Sequence, residues 1–143
     1  MRFDRTLLRA SFVLFGLSLL TGMLIPFFRN PRLALSTHLT GLLNVFVLTA
    51  LAVVFPKLAG YRRAKLIRAL FLICAFTMWF GGVLASAWGT TFVTPRASAG
   101  IKGTVLQASM SQEVVITAMT LVTVLLYIVV AAVVVWRLRP RYQ

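Results

Sequence analysis

The chain has 143 residues, 60% of them hydrophobic and only 12% charged, with 15 basic side chains, 2 acidic ones and a formal charge of +13. Its mean hydropathy is +0.94, whereas soluble domains carry about a quarter charged residues, so an ordinary water-soluble domain is excluded. The basic residues fall in short clusters between apolar runs, which argues against nucleic acid as a partner, and the single cysteine, Cys74, excludes an intramolecular disulfide.

Four apolar runs reach the roughly 20 residues that a helix needs to cross a bilayer. The first covers roughly Ala10 to Phe28, with Pro26 near its end. Arg2, Arg5 and Arg9 precede it as in a signal peptide, but no small-x-small cleavage site follows, so it reads as an uncleaved span. The second runs from about Ser36 to Phe55 and stops at Pro56. The third, about Ala69 to Trp88, contains Cys74, read as a small buried packing residue. In it Thr77, Gly81 and Ala85, and Gly82 with Ser86, recur at four-residue spacing, which lets helices approach closely. Trp88 reads as an interfacial anchor and Trp79 as a deeper packing residue. The fourth covers about Met110 to Trp136. No segment keeps a period of two, which excludes a barrel.

Loop charge sets the expected orientation. Arg2, Arg5, Arg9, Lys57, Arg62, Arg63, Lys65, Arg68, Arg137, Arg139 and Arg141 fall on one side, against Arg29, Arg32, Arg96 and Lys102 on the other. That bias puts both termini in the cytoplasm. The expectation is an all-α integral membrane four-helix bundle, one transmembrane domain over residues 1–143, multi-pass in the cytoplasmic (inner) membrane and in contact with its lipid. The connection from Gly89 to Ser109, rich in Gly, Ser, Thr and Ala, reads equally as a linker or as a lid.

With no soluble domain, chemistry must use polar residues in or beside the spans, where they are rare and tend to be functional. The candidates are His38 and Asn44 in the second span and Gln112 and Glu113 at the start of the fourth. His38 is expected in the first turn of its span, level with Gln112 and Glu113, and Asn44 about two turns deep. His38 and Asn44 lie about 120° apart around a helix, with Gly41 between them in angle. That makes a concave face where a flat macrocycle could lie with its iron on His38, since histidine is a common haem ligand. The competing reading makes His38 a helix cap or a headgroup contact. A zinc site is disfavoured by the want of a second His or nearby Cys. Glu113 serves either as a proton carrier or as a charge favoured by the helix dipole, and Ser109 with Gln112 also fits a capping box.

The runs Leu20 to Pro26, Asn30 to Asn44, Ala85 to Gly89 and Gln112-Glu113 together resemble the hydroxylaminobenzene mutase family of small bacterial membrane proteins. The likeness spans about residues 15 to 115, and its most specific element is Asn30-Pro31-Arg32 followed by Ser36-x-His38 and Asn44. A more distant likeness is to styrene oxide isomerase, a trimeric four-helix membrane enzyme that uses ferric haem b as a Lewis acid. The resemblance implies haem b, His38 as iron ligand, Asn44 as a substrate-orienting group and a homo-oligomer, specifically a trimer. The family pattern has an acidic residue where Thr40 stands and an asparagine where Met78 stands, which bears on substrate and rate.

The function so implied is a redox-neutral isomerase that converts an aryl hydroxylamine to an ortho-aminophenol. Lewis-acidic iron would weaken the N–O bond, Glu113 would shuttle a proton, and Gln112 and Asn44 would orient the small aromatic substrate. A second reading keeps the haem and isomerises an aryl epoxide to an aldehyde. A third, from another class, is a non-catalytic membrane subunit or small transporter, in which His38 is dispensable.

Overall fold

The computed structural model describes residues 3–58, 60–91 and 108–138. Four long helices follow one another: α1 (Arg5–Met23), α2 (Pro31–Val54), α3 (Ala64–Trp88) and α4 (Met110–Leu138). Each is long and apolar enough to cross a membrane. Short 3-10 turns at Ile25–Phe27 and Phe55–Leu58 follow α1 and α2, each built around a proline that cannot continue a helix.

α1, α2 and α3 start earlier than hydropathy suggests, because their first turns lie outside the apolar runs, whereas α4 starts at Met110 as expected. Asp4 caps α1, accepting hydrogen bonds from the amides of Thr6 and Leu7. The helix thus begins at Arg5 and not near Ala10, carrying Arg5 and Arg9 on its first turns. Asn30 caps α2 through the Leu33 amide, with Pro31 at the first helical position. α3 begins at Ala64, so Lys65 and Arg68 ride on it, and it ends on Gly89, whose φ of 73° suits a residue without a Cβ.

The chain runs up, down, up and down. At one end the Asp4 amide reaches the Ala52 carbonyl, Arg68 pairs with Asp4 at 3.0 Å, and Arg137 lies over the Tyr61 ring. At the other end the Asn30 amide donates to the Ser86 carbonyl, its side-chain NH2 to Thr90, and Thr91 donates to Glu113. Arg2, Arg96, Lys102, Arg139 and Arg141, and most of the Gly89–Ser109 connection, lie outside the described residues.

Large apolar side chains point outward, Phe12, Phe27 and Phe46 among them, while Ser11, Ser18 and Thr21 of α1 face inward. Small inward residues let backbones approach, and most inward hydroxyls bond their own helix, as Ser11 does to Leu8 and Thr21 to Leu17. The spacing read in α3 works this way: Thr37 of α2 packs on Gly82, and Met119 of α4 packs on Gly81. The buried apolar core falls into two clusters. One joins Leu14, Leu48, Phe71 and Val130, and the other joins Leu33, Ala85 and Ile116. Polar residues occupy the level between them.

Candidate functional site

That intermediate level holds Thr37, Thr40 and Asn44 on α2 and Thr120, Thr123 and Tyr127 on α4. Their positions follow from helical spacing. Ile116, Thr123, Val130 and Val134 mark the inward stripe of α4, and Thr120 and Tyr127 fall on the same stripe at four- and seven-residue steps. Here α2, α3 and α4 border a half-open cavity of about 130 Å³ lined by Ser36, Thr37, Thr40, Met78, Gly82 and Thr120, with Leu33 and Ile116 among its apolar walls. A cavity of about 150 Å³ accommodates a benzene ring, so this space is on the scale of one aromatic ring. The small side chains of α3 keep it open.

Asn44 is the fourteenth residue of α2, one turn beyond Thr40, and is 7% exposed. Its Oδ1 accepts a hydrogen bond from the Tyr127 hydroxyl at 3.1 Å. Its Nδ2 is buried with no acceptor among the described residues. A buried donor left unpaired costs about 1–3 kcal/mol, so it calls for a physical reason such as a ligand, a water or a catalytic role.

His38 turns the other way. As the eighth residue of α2 it lies deeper than the expected first turn, because the helix starts at Pro31. Its Nδ1 lies 2.7 Å from the Ser18 carbonyl of α1. A carbonyl only accepts, so Nδ1 donates in this contact, which leaves Nε2 for another partner. The ring also fills the space beside Gly22: a Cβ there would come within 2.9 Å of its Cε1 and Nδ1. A held Nδ1–H and an available Nε2 are what a metal-ligating histidine needs.

Ser18 and Trp79 pack against Gly41, and Trp79 in turn bonds Thr21, so Gly41 is a position of close approach between helices. Gln112 caps the start of α4. Its Oε1 accepts from the Ser109 amide and its own amide donates to Ser109 Oγ, a reciprocal capping box. Glu113 accepts from the Thr91 amide at 2.7 Å and from its hydroxyl at 3.3 Å, tying α4 to the end of α3. It borders a separate hollow on the flank of α4 with Thr117 and Leu121. The four candidates therefore do not form one cluster. Asn44 belongs to the cavity level, His38 to the α1–α2 seam, and Gln112 and Glu113 to the end of the bundle.

Sequence reasoning missed Thr37, Thr120 and Tyr127. A signal was available in the hydroxyl residues at 120 and 123 followed by Tyr127, a polar stripe at helical spacing in the most apolar span.

The family model for styrene oxide isomerase matches residues 3–139. The chain is 37% identical to hydroxylaminobenzene mutase HabB of Ectopseudomonas oleovorans over 139 residues, which cover 94% of this chain and 80% of that protein. It is 34% identical to hydroxylaminobenzene mutase HabA of the same organism over 84 residues, covering 58% of this chain and 62% of that one. No solved structure matches the chain.

Proposed function

The chain belongs to the styrene oxide isomerase family, and from that premise we propose that it is a membrane-embedded isomerase that rearranges an aryl hydroxylamine to an ortho-aminophenol. The substrate class follows the mutase relatives, which include one matched over nearly the whole chain. The observation that supports it here is the ring-sized cavity bordered by hydroxyls and lying one turn from the unpaired Asn44 amide. The reaction breaks the N–O bond and one ortho C–H bond and forms an ortho C–O bond and an N–H bond, the ring proton passing to nitrogen, so atoms and electrons balance with no second substrate.

Asn44 Nδ2 donates to the oxygen as it leaves nitrogen, the moment at which that oxygen gains charge. The hydroxyls of Thr37 and Thr40 flank the ring. The walls of Leu33, Met78 and Ile116 exclude water, which would otherwise capture the electron-poor ring. The residues present also fit one haem ligand. His38 would hold the iron through Nε2, with Ser18 fixing the ring, and a bound ferric haem b supplies a Lewis acid.

The reading extends to a bundle inserted in the cytoplasmic membrane with both termini inside. Arg5, Arg9, Lys57, Arg62, Arg63, Lys65, Arg68 and Arg137 gather at one end of the helices, which supports that orientation. The apolar outward face of α4, with Val114, Leu121, Leu125 and Ile128 exposed, suits lipid or neighbouring copies in a trimer.

The test is turnover by the detergent-purified chain, expressed with haem supply and assayed with phenylhydroxylamine beside styrene oxide. Formation of 2-aminophenol from the first supports the mutase reading. Formation of phenylacetaldehyde alone would move the assignment to the epoxide, which the family's name favours. An absorption spectrum of wild type beside His38→Ala tests the haem ligand.

A further inference from the structure

We infer that Tyr127 is a positioning residue that fixes the amide of Asn44, so that its NH2 and not its oxygen serves the reacting group; the inference rests on the isomerase reading above. The amide of an asparagine has two nearly isosteric orientations, one presenting an acceptor and the other two donors. What selects between them is the partner on the other side. The Tyr127 hydroxyl lies 3.1 Å from Oδ1. Its single hydrogen goes to the amide oxygen, the stronger acceptor of the two, which leaves Nδ2 as the free end. Reversing the amide would exchange that bond for a weaker one to the phenol oxygen.

The tyrosine is itself held. Its ring meets Phe71 edge-on, with centroids 5.5 Å apart and planes at 89°, and Phe71 is 4% exposed within the larger core cluster. Asn44 lies one turn beyond the cavity residue Thr40, and Tyr127 lies two turns beyond Thr120. The pair thus bridges α2 and α4 just beyond the residues that line the cavity. A purely structural bond between two helices would leave both ends of the amide satisfied. Here one end is anchored and the other, buried, has no acceptor among the described residues.

The experiment compares wild type, Tyr127→Phe, Asn44→Ala and the double variant as full-length, haem-supplied protein turning over phenylhydroxylamine, with melting temperatures in parallel. Tyr127→Phe is expected to lower kcat about tenfold with KM within about twofold, since one neutral hydrogen bond is worth a factor of about ten. In the Asn44→Ala background it is expected to have no further effect, because residues acting as a unit are not additive. The same loss in both backgrounds, or no loss in either, would overturn the inference and leave the isomerase reading standing. A wild type that rearranges nothing would overturn that reading itself, and this inference with it. Should Tyr127→Phe fail to fold, fluorotyrosines at position 127 keep the shape and vary the donor. A kcat that follows ring fluorination supports the inference, and one indifferent to it overturns it.

Discussion

The imidazole of His38 occupies the space that a side chain at position 22 would need. The ring is held from two directions, by that slot and by the Ser18 carbonyl. Gly22→Val is therefore expected to push the ring off its bond and, on the haem reading, to cut bound haem several-fold, read from the Soret band. Gly16→Ala, six residues earlier on α1, meets nothing within 4 Å and is the control that keeps its haem. Equal haem in both would remove the slot from the argument.

Asn44→Ala deletes the unpaired donor at the cavity level. Removing a hydrogen-bond donor aimed at developing negative charge costs about 100- to 1,000-fold in kcat. A fall of about 100-fold with an intact fold is expected, measured by chromatography of aminophenol. A loss of tenfold or less would assign Asn44 to packing.

Thr40→Leu tests the cavity as the substrate's place. The added branch enters a space of about 130 Å³, so ring-bearing substrate is expected to lose at least about tenfold in kcat/KM while stability changes by under about 1.5 kcal/mol, as fits a substitution into open space. Unchanged kinetics would move the substrate elsewhere.

Gly82→Val tests close approach between α2 and α3. A Cβ at Gly82 would come within 2.5 Å of Thr37 Oγ1, and overpacking of this kind costs about 1–3 kcal/mol. Thr37→Ala in the same chain is expected to restore part of the lost melting temperature. No restoration would place the clash elsewhere.

Asp4 and Arg68 should contribute unequally. The Asp4 carboxylate caps α1 and pairs with Arg68, whose side chain is 31% exposed. Asp4→Ala removes a cap worth about 0.5–2 kcal/mol as well as the pair, whereas Arg68→Ala removes only a partly solvated ion pair worth under about 1 kcal/mol. Thermal unfolding in detergent at low salt is expected to rank Asp4→Ala as the more damaging, and the reverse order would refute the capping role.

The architecture was legible because lipid-compatible helices must satisfy every backbone group internally, so four apolar runs allow few alternatives. Helix starts were less legible: Asp4, Asn30 and Arg63 sit outside the hydropathy window, yet they or their neighbours set where α1, α2 and α3 begin. The site was legible residue by residue and not as a group. Asn44 stood out as an amide in an apolar run, but its partner Tyr127 is 83 residues away, a pairing that no local pattern encodes. Gln112 allowed two readings because a capping box and a substrate ligand use the same side chain, and the structure shows the capping contacts to Ser109. His38 and Asn44 diverge because a 120° turn of α2 hands one to α1 and the other to α4.

The bond from Tyr127 to Asn44 also bears on the order of assembly. α1, α2 and α3 leave the ribosome first, and at that stage the Asn44 amide oxygen lacks the Tyr127 hydroxyl that it finally accepts from. An amide stranded in hydrocarbon is a strong incentive to find a donor, and the last helix to arrive carries one at the matching depth. The same bond that orients the amide thereby selects the register in which α4 docks, so a slip of one turn would be penalised at the site before it was felt anywhere else in the bundle.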